Sequence, residues 1–276
     1  MKITCPICPH HCSLLPGETG FCRARANDGD RIVAANYGLI TSLALDPIEK
    51  KPLYHFFPGS FILSAGSFGC NLRCPFCQNY SISQADSSVA LQKTTPQELA
   101  NFALDVAKKA EQGNLGLAFT YNEPLVGYEF VLDTAKILKG MGLKTVLVTN
   151  GMIEEGPLKK LLPYIDALNI DLKAFNRNFY AWVGGDLDTA LRTITLSTQF
   201  AHVEVTTLII PGKNDSEEEM EREAKWLANI SPDLPLHISR YFPRYQCETP
   251  ATEVALIHKL AAIAEKHLRF VHLGNV

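Results

Sequence analysis

No apolar run in this sequence approaches the roughly 18 successive residues that a membrane-spanning helix needs. Polar residues and cysteines begin at once, in MKITCPICPHHC, so the opening segment lacks the apolar stretch of a secretory signal. The expectation is a soluble, cytoplasmic protein with no membrane partner. Positive charge is scarce too. Lys and Arg number 26 against 29 Asp and Glu, a formal charge of −3, and no Lys/Arg-rich run departs from that balance. This argues against a nucleic-acid partner, because such affinity rests on many cationic contacts to phosphate. Internal repeats and low-complexity segments are lacking as well. What remains is 276 residues with 46% apolar content, enough for one large α/β domain or two ordinary ones around a sizeable core.

Cysteine, by contrast, is plentiful and grouped. Seven of the eight fall in two sets, Cys5, Cys8, Cys12 and Cys22, then Cys70, Cys74 and Cys77, with Cys247 alone. In a reducing compartment such clusters serve as metal ligands or redox groups more often than as disulfides. Residues 1–30 read as a small Cys-rich metal-binding module, since so short a segment cannot bury a core of its own. The Pro- and aromatic-rich stretch closing residues 31–60 reads as a connecting arm whose apolar side chains pack on the next domain.

From Phe61 to the end the pattern alternates. Apolar runs predict strands at 61–65, 115–119, 144–148, 167–170, 203–209 and 236–239, with helical spacing between them. T-P-Q-E predicts a helix capped by Thr95, with Glu98 completing a capping box. A second helix is expected near Asp215, its Glu217, Glu218 and Glu219 complementing the dipole rather than binding metal. A last one is expected near Thr249-Pro250, with Val254, Ile257, Leu260, Ala261 and Ala264 on one face. Six alternating strands imply an α/β fold with parallel pairing, a partial rather than a full barrel over 61–276. Its chemistry belongs on the loops at the C-terminal ends of the strands. There the sequence places C-N-L-R-C-P-F-C, T-Y-N-E-P, T-N-G and D-L-K.

Cys70-x3-Cys74-x2-Cys77 can hold three corners of a 4Fe–4S cube and leave the fourth iron open to a small molecule. That spacing favours iron–sulfur over structural zinc, which prefers four closed ligands. The four N-terminal cysteines do offer a closed set, suited to Zn2+ or to a second iron–sulfur cluster, with His10 and His11 beside Cys12 as substitutes for one ligand.

The loop G-C-N-L-R-C-P-F-C-Q-N resembles the signature of radical S-adenosylmethionine (SAM) enzymes. The ordered series from C-P-I-C-P-H-H-C through D-P-I-E-K-K-P-L-Y-H-F-F-P-G-S, F-T-Y-N-E-P, N-I-D-L-K-A-F and I-P-G-K-N-D to P-L-H-I-S-R-Y covers nearly the whole chain. It is similar to the AmmeMemoRadiSam system subfamily, related to pyruvate formate-lyase-activating enzyme. The resemblance implies a partial (β/α)6 TIM-like barrel, SAM chelated at the open iron, and an external one-electron donor such as a flavodoxin or ferredoxin. SAM would be cleaved to a 5′-deoxyadenosyl radical that abstracts hydrogen from an unidentified substrate, small molecule or protein. Carried over by position, Phe76 flanks the adenine, and Asn122 and Glu123 stand where relatives have Gly-Gly-Glu facing the SAM amino group. Thr149 and Asn150 fall at the ribose. Asp171 and Lys173 suit the methionine moiety or a cation, and Ile210, Pro211 and Gly212 form an adenine-side turn.

Each has a plainer reading: T-N-G is a common turn, and Asp171 with Lys173 an ion pair. His237 and Arg240, after the sixth strand, are candidates for substrate contact, although a His in an apolar strand serves the core as readily. Cys247 reads as a buried or free thiol. Many relatives continue past the final Gly-Asn into another cysteine pair; this sequence stops at Val276, and no role for such a pair is expected.

Two further functions compete. One is an activase that makes a glycyl radical on a partner enzyme. The D-G-P-G-x-R element of such activases is missing before the cysteine loop, and Gln78 stands where they have His. The other is a non-catalytic iron–sulfur electron carrier, which would leave most of the chain unexplained.

Overall fold

The computed structural model describes residues 1–89 and 91–276. All six apolar runs form parallel strands, and two further strands flank them. In chain order the sheet comprises β1 (Ser42–Pro47), β2 (Phe61–Gly66), β3 (Gly116–Phe119), β4 (Lys144–Thr149), β5 (Ala167–Asp171), β6 (His202–Ile209), β7 (Leu236–Arg240) and β8 (Val271–Gly274). Spatial order follows sequence order from β8 to β1. Strands β2 to β8 pair in parallel, and β1 lies antiparallel on β2, with Ser42 opposite Gly66 and Pro47 opposite Phe61. The expected six strands are therefore eight. Both additions are half-buried edge strands: S-L-A-L-D-P lies in the supposed arm, and V-H-L-G is four residues long.

Among the described residues, the helices of seven residues or more are α1 (Pro96–Lys109), α2 (Tyr128–Gly140), α3 (Glu155–Leu161), α4 (Arg177–Val183), α5 (Leu187–Ser197), α6 (Glu217–Ile230) and α7 (Val254–Ala264). Thr95 caps α1 as anticipated. It accepts from the Glu98 amide at 3.2 Å while the Glu98 carboxylate accepts from the Thr95 amide at 2.8 Å. Ser216 caps α6. Helix α7 starts later than Thr249-Pro250 suggested. The Thr252 hydroxyl donates to the Ile209 carbonyl at 2.6 Å and accepts from the Tyr241 amide, which pins this segment as a loop. No helix among the described residues is long and apolar enough to cross a membrane.

The arm closes the floor of the barrel, under the N-terminal ends of the strands. Ile48, Leu53 and Phe56 are buried against Ile62, Ala118, Val146 and Ala167. Glu204 of β6 then clamps the arm, accepting from the backbone amides of Tyr54 (3.0 Å) and His55 (2.8 Å). The same carboxylate lies 2.9 Å from His202 Nε2 and 2.6 Å from His237 Nε2. His237 thus belongs to the floor, buried beneath the Tyr54 ring.

The N-terminal residues sit on the opposite, upper rim. Two short ladders, Ile3–Thr4 with Ser13–Leu14 and Arg25–Asn27 with Ile32–Ala34, give them shape. They are sewn to the barrel by the Ile7 carbonyl, which accepts from the Glu154 amide at 2.8 Å. Arg25, only 3% exposed, adds a two-pronged bond to Glu129 of α2 at 2.8 and 2.7 Å.

Candidate functional site

The loop after β2 carries Cys70, Cys74 and Cys77 across the upper rim. It leaves the strand through Gly69, whose φ of +89° suits glycine, and a Cβ there would lie 2.6 Å from the Cys22 carbonyl oxygen. The loop is braced from below by Asn122. That side chain accepts from the Ser67 amide (2.9 Å) and donates to the carbonyls of Phe68, Gly69 and Glu123, each at 3.1 Å. Both N–H groups of Asn122 are spent on the cysteine loop, while its Oδ1 accepts one bond there.

The sulfurs meet donors. The Leu72 amide lies 3.3 Å from Cys70 Sγ, the Asn150 side-chain amide 3.6 Å from the same atom, and the Ser83 hydroxyl 3.1 Å from Cys77 Sγ. Burial pushes the Cys74 thiol up to about 12, and Cys70 also lies well above its ordinary value, through burial and then the charge of Glu123. A cation bound here must therefore displace the protons, which a metal centre does by ligating thiolate. Three sulfurs, Cys74 buried and Cys70 and Cys77 half-buried, with N–H and hydroxyl partners fit a thiolate-ligated iron–sulfur cluster, whose sulfurs are tuned by such bonds.

Glu123 joins the third strand loop to the fourth. Its carboxylate accepts from the Leu125 amide (3.0 Å), the Thr149 hydroxyl (2.7 Å) and the Asn150 amide (2.8 Å). Burial raises it to about 7, against the lowering effect of these three bonds. Asn150 donates onward to Asn71 Oδ1 at 2.9 Å. Asp171 and Lys173 form an ion pair at 2.7 Å. Burial works against the Lys173 charge, but Asp171 and the thiol of Cys74 outweigh it and hold the ammonium above its ordinary range.

The remaining candidates divide. Phe76 is 6% exposed and packs against Phe179 and Trp182 of α4, its ring centroid 5.9 and 5.5 Å from theirs. Ile210 and Pro211 belong to a turn tied by Asn214, which accepts from the Ile210 amide at 2.8 Å and donates to the Lys173 and Leu208 carbonyls. The structure does not bring His237 and Arg240 together. The two residues point to opposite sides of β7 because side chains alternate along a strand. Arg240 donates to the Thr252 carbonyl at 2.7 Å and lies over Phe242. His237 is committed to Glu204 within the floor, while half-buried Arg240 uses only its Nε on that carbonyl. Cys247 is buried in the loop after β7. That loop reaches the cysteine loop through the Gln246 amide, 2.8 Å from the Pro75 carbonyl, and through Tyr245 stacked on Tyr80.

Sequence reasoning missed Asn71, Asn214 and Ser83. All three are small polar residues inside or just beyond the motifs that stand out by spacing. Their role is visible only in what they bond.

The sequence profile of the Radical SAM superfamily matches residues 66–227. Over 281 aligned residues the chain is 39% identical to the uncharacterized protein MJ0808 of Methanocaldococcus jannaschii, covering all of this chain and 82% of that protein. It is 26% identical to the pyruvate formate-lyase-activating enzyme of Clostridium pasteurianum over 59% of this chain and 67% of that enzyme. Among solved structures, a radical SAM methyltransferase from Sphaerobacter thermophilus shares the fold with a TM-score of 0.60 at 18% identity, covering 79% of this chain and 67% of that one.

Proposed function

The chain belongs to the radical SAM superfamily, and from that premise we propose that it cleaves SAM reductively to generate a 5′-deoxyadenosyl radical for hydrogen abstraction. The family implies a 4Fe–4S cluster and SAM. When bound, the cluster supplies one electron and an iron position for the SAM amino and carboxylate groups. The observation that carries the reading is the set of three sulfurs on one rim loop, Cys74 buried and Cys70 and Cys77 half-buried, with N–H partners at Cys70 and a hydroxyl at Cys77.

The chain's own residues then have distinct tasks. Asn122 fixes the cysteine loop, and Glu123 holds the ends of β3 and β4 in register through Thr149 and Asn150. Asp171 and Lys173 present a paired charge at the end of β5, suited to the zwitterionic methionine end of SAM. Phe76, with the Ile210-Pro211 turn, offers apolar surface for an adenine. The electron would come from a cytoplasmic one-electron donor such as a flavodoxin or ferredoxin.

Similarity to an activating enzyme favours one narrower reading, in which the substrate is a backbone glycine of a partner protein. Gln78 in place of His, and the missing Arg before the loop, count against it.

The test is 5′-deoxyadenosine formation from SAM by anaerobically reconstituted, reduced protein, beside a Cys70→Ala/Cys74→Ala/Cys77→Ala variant. Product that vanishes in the variant is expected. Failure of the reduced protein to bind SAM would overturn the enzyme reading and select an electron carrier.

A further inference from the structure

Histidines gather at the floor, at the end of the barrel away from the cysteine loop. The arm leaves β1 at one edge of the sheet and reaches β8 at the other, where His55 meets His272. Their Nε2 atoms are 2.8 Å apart and their ring centroids 5.0 Å. The centroid distance is close to the nitrogen separation plus one ring radius at each end. The two nitrogens therefore face each other in line, as a hydrogen bond needs, rather than converging at an angle on a third atom.

An imidazole nitrogen accepts a hydrogen bond only while it carries no proton. The contact thus needs one Nε2–H and one bare Nε2. A first added proton leaves an imidazolium that still donates to its neutral neighbour. A second leaves two donors and two like charges face to face, and the bond is lost. His55 is exposed and His272 half-buried, so water reaches the contact and can deliver those protons.

The surroundings respond to protons with the opposite sign. Glu204 of β6 lies 2.9 Å from His202 Nε2 and 2.6 Å from His237 Nε2 of β7. A proton on either histidine strengthens its contact with a carboxylate. Burial opposes the Glu204 charge, yet His202, His237 and the arm amides hold it well below the usual carboxylate range, so it stays ionised in weak acid. His272 moves the other way. Burial, then the charges of His237 and His55, lower it, with Glu204 opposing. Its contribution to folding is complete above about 6.5 and is lost as pH falls through the lowered value. The Tyr54 ring, 4.9 Å from His272, and the Phe270 ring, 4.4 Å from His55, pack around the pair. The titratable groups facing it among the described residues are therefore Tyr54 on the arm, His202 and Glu204 on β6, and His237 on β7.

What the pair holds is thin. β8 is a four-residue edge strand, half-buried and paired on one side only, from Leu236 opposite Val271 to Ser239 opposite Gly274. Its other edge has the arm for a neighbour through His55.

We propose that His55 and His272 form a proton-sensitive latch between the arm and β8, closed while at least one imidazole is neutral and open when both are protonated. Opening frees the outer edge of β8, while Glu204 keeps its hold on the arm. Neither SAM nor the cysteines take part.

The test is amide hydrogen exchange, read by mass spectrometry on the full-length protein at about pH 7.5 and about pH 5 and corrected for the intrinsic pH dependence of exchange. Peptides containing β8 should exchange about tenfold faster at the lower pH, while α1 keeps its protection. His272→Gln and His55→Gln each retain a donor and an acceptor but cannot titrate, so each should flatten that acid step. His272→Ala, which has no partner for His55, should leave β8 fast at both pH values. Equal protection of β8 at the two pH values in the unaltered protein would overturn the latch. An acid step surviving unchanged in both Gln variants would also overturn it, assigning the step to the histidines around Glu204. A step matched in α1 would overturn it as well, because the whole chain would then be opening.

Discussion

Glu123 and Glu204 are both buried carboxylates inside the same barrel, 3% and 0% exposed at residue level, yet their environments push them in opposite directions. Burial would raise either. At the floor it is overcome by His202 and His237 and by the amides of His55 and Tyr54, which hold Glu204 well below the usual carboxylate range. At the rim, the amides of Asn150 and Leu125 and the Thr149 hydroxyl do not overcome it. Glu123 rises to about 7, with Asp171 adding repulsion. The floor is closed electrostatically by the protein itself. The rim crowds thiols and the Glu123 carboxylate together, with the Lys173 ammonium paired to Asp171 at the end of β5.

The sharpest way to break this contrast is to exchange the consequences of damage at the two ends. Cys74→Ala at the rim should abolish deoxyadenosine formation, while the urea midpoint of the metal-free protein stays near that of the parent. Glu204→Ala at the floor should do the reverse. It strands two arm amides and His237, and is expected to cost about 4 kcal/mol in urea unfolding. Should Glu204→Ala unfold as the parent does, the clamp is incidental and the comparison fails. Leu53→Ala, in the arm's fully buried apolar contact, should cost about 3 kcal/mol by leaving a cavity beneath β2 to β5.

Acidity sharpens the contrast further. Glu123 has a raised pKa, so its favourable contribution to folding is complete below about 4.5 and is lost as pH climbs through about 7. Glu204 has a depressed pKa, so its contribution is present above the ordinary carboxylate range and is lost as pH falls below it. Unfolding free energy of the metal-free protein, measured from pH 4 to 8, should therefore lose its downward slope between pH 4.5 and 7 in Glu123→Gln. In Glu204→Gln it should lose its acid-side fall. The smallest effect belongs to a site at neither end. Thr95→Ala removes the α1 cap and should cost about 1 kcal/mol, with no change in SAM cleavage.

The cysteine loop was legible because its three cysteines are local in sequence. Three cysteines on one loop announce themselves by spacing alone, and the six central strands by their apolar runs. The two edge strands were not legible, since a half-buried edge has no continuous apolar run to display. His237 was legible only as an ambiguity. A histidine inside an apolar strand can serve a core or a substrate, and Glu204, 33 residues earlier, is what resolves it. The bond from Arg240 Nε to the Thr252 carbonyl was not legible, because that carbonyl lies on a loop whose path no local pattern specifies.

By itself, then, the chain's order of residues determined two sets of grouped cysteines, an alternating α/β architecture, and polar motifs at successive strand ends. The tertiary structure alone decided which of those polar groups are already spent. Asn122 braces a loop, Glu123 bridges two strands, and Glu204 holds the arm. The physical reason is that a hydrogen bond depends on donor and acceptor meeting within about 3 Å, and parallel strands bring together partners that lie dozens of residues apart.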